Sequence, residues 1–360
     1  MEIVEFNGEK IKPFPSDTGD YNDLISLWLA LCAALAYKSK THIAEELKNA
    51  GFNKVTFFDS SGTQAFFAEH PGVQPQPPFS ILSFRGTEND YKDIISDIAV
   101  FKRTIDEVKL LRVHGGFLTS LRNVWGTLLS RETNDPPKFE AKWEGVRGIS
   151  EILDERQRKD SWLYFTGHSL GAAIATLAAY EFHRLESSAP IALYTFGSPR
   201  SGSTDFARYV RRNTEYQIYR IVNSADIVTR VPPLFFGFRH VGKIMYLSRK
   251  GKMIAGSPLR SFFDVGVWQT LLHIALLLGG YLLIKWVFKV SQVEVGSGLI
   301  GDVFELVGAG IILWFLIALL PKMLALLPFS LTKRLPFGFF TDHAIGEYCT
   351  KLANLLGSRG

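Results

Sequence analysis

The chain has 360 residues, is 47% hydrophobic, and carries 40 lysines and arginines against 35 aspartates and glutamates, a formal charge of +5. That length holds one large α/β domain with something added, and the weak basic excess has no arginine-rich run with interleaved aromatics, which excludes a nucleic-acid reading. The excess is instead read as membrane-surface charge. Two cysteines, Cys32 and Cys349, sit within apolar helical patterns and predict buried thiols in a reducing compartment rather than a disulfide framework.

The first apolar run, Leu24 to Tyr37, follows Asp17, Asp20 and Asp23 and has no basic segment ahead of it, so no signal peptide is expected. At about 14 residues it is too short to cross a bilayer. Its Leu24, Leu27, Trp28, Leu31, Leu35 spacing predicts an amphipathic core helix. Phe79 to Phe84 then reads as an apolar strand ending in Arg85-Gly86-Thr87, a turn whose backbone N–H groups and hydroxyl can face a neighbouring strand end.

The most informative stretch follows. Gly167-His168-Ser169-Leu170-Gly171 lies between the strand-like Trp162 to Thr166 and the alanine-rich Ala172 to Tyr180. A serine at the tip of a strand, turn and helix projects its hydroxyl out of the sheet, and flanking glycines let the two elements cross closely. This nucleophile-elbow pattern predicts an α/β-hydrolase: a mostly parallel sheet flanked by helices. With Ser169 as nucleophile, the N–H of Leu170 and Thr87 are the expected oxyanion donors.

Tyr216 to Val222 is a further strand pattern, and Asp226 stands just beyond it, where the chain order serine, acid, histidine expects the orienting carboxylate. Three histidines follow. His273 falls inside an apolar run and is set aside. His240 precedes the strand-like Val241 to Leu247, whereas His343 sits immediately before a helical apolar face made by Ile345, Tyr348, Cys349, Leu352 and Leu356. On the residues alone, both His240 and His343 stay open as the base.

Between acid and His343 the chain reads LLHIALLLGGYLLIKWVF from Leu271 to Phe288 and VFELVGAGIILWFLIALL from Val303 to Leu320. Roughly 20 apolar residues cross a hydrocarbon core, so the pair predicts an inserted membrane-spanning helical hairpin over residues 265–328. Basic residues Arg249, Lys250, Lys252, Arg260, Lys322, Lys333 and Arg334 flank its outer sides. By the positive-inside rule the expectation is an integral membrane protein with the hydrolase domain on the cytoplasmic side.

The motifs together resemble the class 3, fungal-type lipases. Phe84-Arg85-Gly86-Thr87, Val113-His114-Gly115-Gly116-Phe117, the Ser169 pentapeptide, Thr195-Phe196-Gly197-Ser198-Pro199-Arg200, and Asp226-Ile227-Val228 with Pro232-Pro233 stand in that family's order. The resemblance implies Ser169 as nucleophile, Asp226 as acid and the pair Asp342-His343 as the source of the base, with His240 the separate histidine-glycine step and His114 and His168 structural. It departs after the oxyanion turn, where the family's Asp-Trp lid step is replaced by Lys92-Asp93-Ile94-Ile95-Ser96-Asp97.

The implied organisation is a lipase domain over 1–264, the hairpin insertion over 265–328 and a C-terminal part over 329–360 carrying His343. The implied activity is hydrolysis of lipid esters, acylglycerols or phospholipids, through an acyl-enzyme, with no cofactor and no metal; the bilayer and a lipid ester are the expected partners. Acyl transfer to an alcohol and a non-catalytic lipase-like binding protein are the alternatives.

Overall fold

A computed structural model describes residues 3–16, 18, 20–73, 76–87, 101–126, 148–154, 161–185, 189–256 and 341–357. A short hairpin, β1 (Val4–Phe6) and β2 (Glu9–Ile11), leads into α1 (Asp23–Leu35) and α2 (Lys40–Asn49). Strands β3 (Lys54–Ser60), β4 (Thr63–His70) and β5 (Phe79–Phe84) follow, then β6 (Lys102–Asp106), β7 (Leu111–His114), α3 (Gly115–Trp125) and α4 (Ile149–Asp154). The central part is β8 (Trp162–His168), α5 (Leu170–Leu185), β9 (Ile191–Phe196), β10 (Gly202–Ser203), α6 (Thr204–Asn213) and β11 (Gln217–Asn223). Strands β12 (Phe238–Arg239), β13 (Lys243–Leu247) and β14 (Met253–Ala255) precede the last described helix, α7 (Ile345–Gly357).

Among the described residues eight strands form one sheet in the order β14-β13-β11-β9-β8-β5-β4-β3. Strands β5, β8, β9, β11 and β13 run parallel, and the antiparallel partners β14, β4 and β3 finish the two edges. Each parallel strand is placed on the same side of the one before it. Right-handed crossovers that all step in one direction deliver their helices to one face. Accordingly α3, α5 and α6 pack with Leu82, Phe84, Leu163, Phe165, Ile191 and Leu193 on that face.

The other face is covered by the chain ends. Phe79, Ile81, Tyr164, Ala192, Tyr194 and Phe196 point to α1 and α7, so alternate residues of each strand serve opposite cores. Asn22 caps α1, its side chain accepting from the Leu24 and Ile25 N–H groups. Helix α1 is more deeply buried than an amphipathic helix: Ile25 to Ala33 and Leu35 are all inside. The physical reason is that it is sandwiched between the sheet, α7 and the β1–β2 hairpin, whose Phe6 stacks on Trp28 at 4.7 Å. A four-stranded antiparallel sheet, β12-β10-β7-β6, joins the chain beside α6. Cys32 and Cys349 are both free thiols within the core, and burial pushes the Cys349 thiol up to about 12.

The chain divides into two compact units, one of Met1–Gly256 with Phe339–Gly360 and one of Ser257–Gly338. The hairpin expected over 265–328 lies in the second and outside the described residues. Among the described residues no helix is long and apolar enough to cross a membrane. The longest, α5, has 16 residues and spans about 24 Å, short of a hydrocarbon core of about 30 Å.

Candidate active site

The site is assembled at the C-terminal ends of the parallel strands. Strand β8 ends at His168, and the chain turns through Ser169, at φ 58°, directly into α5. The left-handed conformation is costly for a residue with a Cβ, and it is held here by close crossing elements. Gly171 packs against the Phe84 carbonyl so tightly that a methyl group there would collide with it, which is why α5 can start beside the end of β5. The Ser169 N–H is secured on the Phe196 carbonyl at 3.0 Å. The hydroxyl emerges where the first N–H groups of α5 have no partner within the helix.

Thr87 belongs to the neighbouring strand end. Strands β5 and β8 are parallel with Phe84 level with Gly167, so Arg85-Gly86-Thr87 runs out alongside His168-Ser169-Leu170. A methyl at Gly86 would stand 2.7 Å from the His168 carbonyl, which measures how closely the two turns approach. Arg85 is held by the Gln64 side chain and lies over the Tyr37 ring.

Asp226 stands at the end of β11, after Ser224 at φ 44°, and is fully buried. Its carboxylate receives a complete set of donors. The Val228 N–H donates to Oδ1 at 2.9 Å, the Tyr348 hydroxyl to Oδ2 at 2.6 Å, and Nδ1 of His343 lies 3.0 Å from both oxygens. His343 ends a 3-10 turn, Thr341–His343, immediately before α7. With Nδ1 on a carboxylate, the ring proton is assigned to Nδ1, which leaves the lone pair on Nε2. Nε2 and the Ser169 hydroxyl are both buried with no hydrogen-bond partner in the protein.

The loop carrying His343 is pinned to the loop carrying Asp226 at several points. Asp342 accepts from the Ala225 N–H at 3.1 Å, the Asn223 side chain donates to the Asp342 carbonyl at 2.9 Å, and Lys351 donates to Asn223 at 2.6 Å. His168 adds a link from the elbow: its ring lies 4.5 Å from that of His343, and its Nε2–H donates to the His343 carbonyl at 2.7 Å. Nδ1 of His168 then accepts from the Tyr37 hydroxyl at 2.9 Å. Burial first, and the adjacent His343 ring second, push His168 down to about 3, so this imidazole is neutral.

The structure separates the two histidines that the residues alone leave open, and between which the family resemblance implies His343. His343 is on Asp226, whereas Nε2 of His240 donates to the Thr229 carbonyl at 2.7 Å and its pKa is driven well below the usual range by burial and by Arg220 and Arg200. His114 stacks on Phe117 at 4.1 Å in the small-sheet core, consistent with a structural part. In the sequence Tyr348 is one residue of an apolar helix face; the signal it carries is a hydroxyl in a buried stripe, which requires a partner. Lys92 to Asp97, where the family's lid step would stand, and His273 lie outside the described residues. No group of His, Cys, Asp and Glu among the described residues is arranged to hold a metal ion.

Residues 81–236 match the class 3 lipase family model. That stretch contains Thr87, Ser169 and Asp226 and stops before both histidines. The chain is 32% identical over 171 residues to a lipase of Rhizomucor miehei, covering 46% of this chain and 41% of that protein. It is 31% identical over 188 residues to a secreted mono- and diacylglycerol lipase of Fusarium solani, covering 51% and 46%. A phospholipase A1 of Oryza sativa matches at 30% over 162 residues, covering 42% and 39%. The chain thus spans less than half the length of these curated relatives.

Among solved structures, the triacylglyceride lipase of Rhizomucor miehei superposes with a TM-score of 0.50 at 25% identity, covering 64% of this chain and 82% of that one. A triacylglycerol lipase whose catalytic centre is described as a serine protease triad superposes at 0.51 with 24% identity, covering 66% and 85%. The fold is therefore that of the lipase α/β-hydrolases, with a mostly parallel sheet. The expectation of an integral membrane protein with a cytoplasmic hydrolase domain is corrected. The described helices are too short to span, and a relative is named as secreted.

Proposed function

We propose that the chain is a serine lipase that hydrolyses carboxylic esters of lipids, with Ser169 as nucleophile, His343 as base, Asp226 as orienting acid, and Thr87 and the Leu170 N–H as oxyanion donors. The observation that carries the reading is Nδ1 of His343 held 3.0 Å from both oxygens of a fully buried Asp226, beside a serine at the strained tip of an elbow. The lipase and phospholipase A1 names of its relatives support the same substrate class. Acylglycerols and phospholipids share the ester that is attacked.

In the first half-reaction the Ser169 oxygen attacks the carbonyl carbon and its proton passes to Nε2 of His343. The negative oxygen of the tetrahedral intermediate is stabilised by the Leu170 N–H at the positive end of α5 and by Thr87; one such donor contributes about 3 kcal/mol. His343 returns the proton to the departing alcohol. Water, deprotonated by His343, then releases the acid from Ser169. Asp226 holds the ring in the Nδ1–H tautomer and stabilises the imidazolium, with Tyr348 and the Val228 N–H fixing the carboxylate in turn.

The reading makes 1–264 and 329–360 one hydrolase domain, and the seating of α7 on α1 within one core supports that division. Its test is labelling of the full chain with a fluorophosphonate ester and mapping of the modified residue. Wild type and His240→Ala are expected to label at Ser169, and His343→Ala and Ser169→Ala are not. Labelling that depends on His240 rather than His343 overturns the assignment, and product analysis with an alcohol acceptor separates hydrolysis from acyl transfer.

A further inference from the structure

Behind Asp226 lies a group of arginines that the hydrolytic chemistry does not use. Arg220 is on β11, Arg200 follows β9, and Arg230 ends the 3-10 turn Val228–Arg230. Nε of each is buried and without a hydrogen-bond partner. Among the described residues the side chains of Arg220 and Arg230 make no hydrogen bond, and no carboxylate makes an ion pair with any of the three. Arg200 alone is engaged, donating to the Arg230 and Pro232 carbonyls, the latter at 2.7 Å.

A guanidinium has five N–H donors and does not shed its charge in proteins, so each of these half-buried groups calls for a counter-charge, hydrogen-bond acceptors or water. Tyr348 favours the charged form of Arg220, and Asp226 and Tyr246 that of Arg230, but like charge works against all three. Burial pushes Arg200 and Arg220 each down to about 10, and the arginines repel one another in every pairing of the three. Asp226 acts on Arg230 only through its field, and the carboxylate oxygens already serve His343, Tyr348 and the Val228 N–H. His240, held neutral on the Thr229 carbonyl, adds no further cation and no negative charge.

Like-charged guanidiniums gathered in this way suit a tetrahedral oxyanion, whose oxygens accept from two or three of them at once. We propose that Arg200, Arg220 and Arg230 form a binding site for a phosphate-type oxyanion. Because Arg200 also grips the carbonyls of 230 and 232, the bound anion ties down the loop that follows Asp226. The phosphate comes either from solution or from the phosphodiester of a phospholipid substrate; the second source rests on the lipase reading, and the first does not.

The test has two arms on the full chain. In the first, thermal unfolding is followed in sodium phosphate and in sodium chloride at equal ionic strength. Wild type is expected to gain about 3 °C with phosphate in a saturable way, and Arg230→Gln to lose that gain. No gain, or an equal gain in Arg230→Gln, overturns the site; Arg230 is chosen because it stands on a loop, and Arg220→Gln is the second variant where it folds. In the second arm Arg230→Gln is assayed on a phospholipid and on a neutral diacylglycerol. A selective loss of roughly tenfold on the phospholipid supports the site with the lipid as source, and an equal rate ratio together with the thermal gain supports it with free phosphate. Absence of all hydrolysis would sink the lipase reading and leave the thermal arm intact.

Discussion

The hydroxyl of Tyr348 donates to the Asp226 carboxylate at 2.6 Å while accepting from the Asn223 N–H at 3.0 Å. One phenol therefore braces the Asp226 carboxylate and the end of the strand before it. Burial, the nearby Asp226 charge and this hydrogen bond together hold the Tyr348 pKa well above its usual value, so it donates at all working pH values.

Tyr348→Phe removes both bonds without changing the ring. The Asn223 N–H is left buried and unpaired, which costs about 1 to 3 kcal/mol, and Asp226 loses one of its donors. Ester hydrolysis is expected to fall about tenfold with a lower Tm, both read on purified protein. A variant with wild-type rate and Tm would show that Tyr348 is only a core ring.

His168 makes stability depend on pH. Its folded pKa of about 3 lies below the unfolded value near 6.5. The unfolded chain therefore binds the extra proton first, and the stabilisation present above pH 6.5 is lost as pH falls toward 3, by up to several kcal/mol. Burial also lowers His70, His183 and His240, which act in the same direction. His168→Gln is expected to flatten the fall of Tm between pH 7 and 4. An unchanged slope would mean that His168 is not held neutral by the fold.

Local patterns made much of the core of this site legible. The strand, turn and helix around Ser169 and the strand before Asp226 each show within a dozen residues, as periodicity and glycine placement. The partner of Asp226 did not, because His343 is 117 residues away and His240 is far nearer in the chain. Choosing between them requires knowing that α7 returns to pack on α1, a contact between chain ends that no local pattern encodes. The same return buried α1 beyond its amphipathic spacing and hid Tyr348 inside an apolar stripe. The arginine group was equally invisible, since Arg200, Arg220 and Arg230 meet only once β9, β11 and the turn after Asp226 are side by side.

Asp342 is a positioning residue for its neighbour His343. It accepts from the Ala225 N–H at 3.1 Å and lies 3.7 Å from Lys351. Asp342→Ala frees the turn before α7 and is expected to lower kcat several-fold with little change in KM, while Asp342→Asn, which keeps an acceptor for Ala225, restores most of the rate. Equal loss in both variants would place the effect in the charge rather than in the pinned loop.

Gly197 offers the sharpest test of the Asp226–His343 geometry. It has φ 60°, and a methyl group there would stand 2.8 Å from Oδ2 of Asp226 and 3.0 Å from Cε1 and Nδ1 of His343. Gly197→Ala thus adds a left-handed residue, costing about 1 to 2 kcal/mol, and wedges its methyl against both partners. Neither can retreat easily, since Asp226 is held by Tyr348 and Val228 and the His343 carbonyl by His168. On the proposed mechanism a displaced His343 ring serves the Ser169 hydroxyl less well, and a loss of about 100-fold in the rate of fluorophosphonate labelling is expected, with a far smaller change in far-ultraviolet circular dichroism. Labelling at the wild-type rate would mean that the pair tolerates the wedge and that its placement does not limit nucleophile activation.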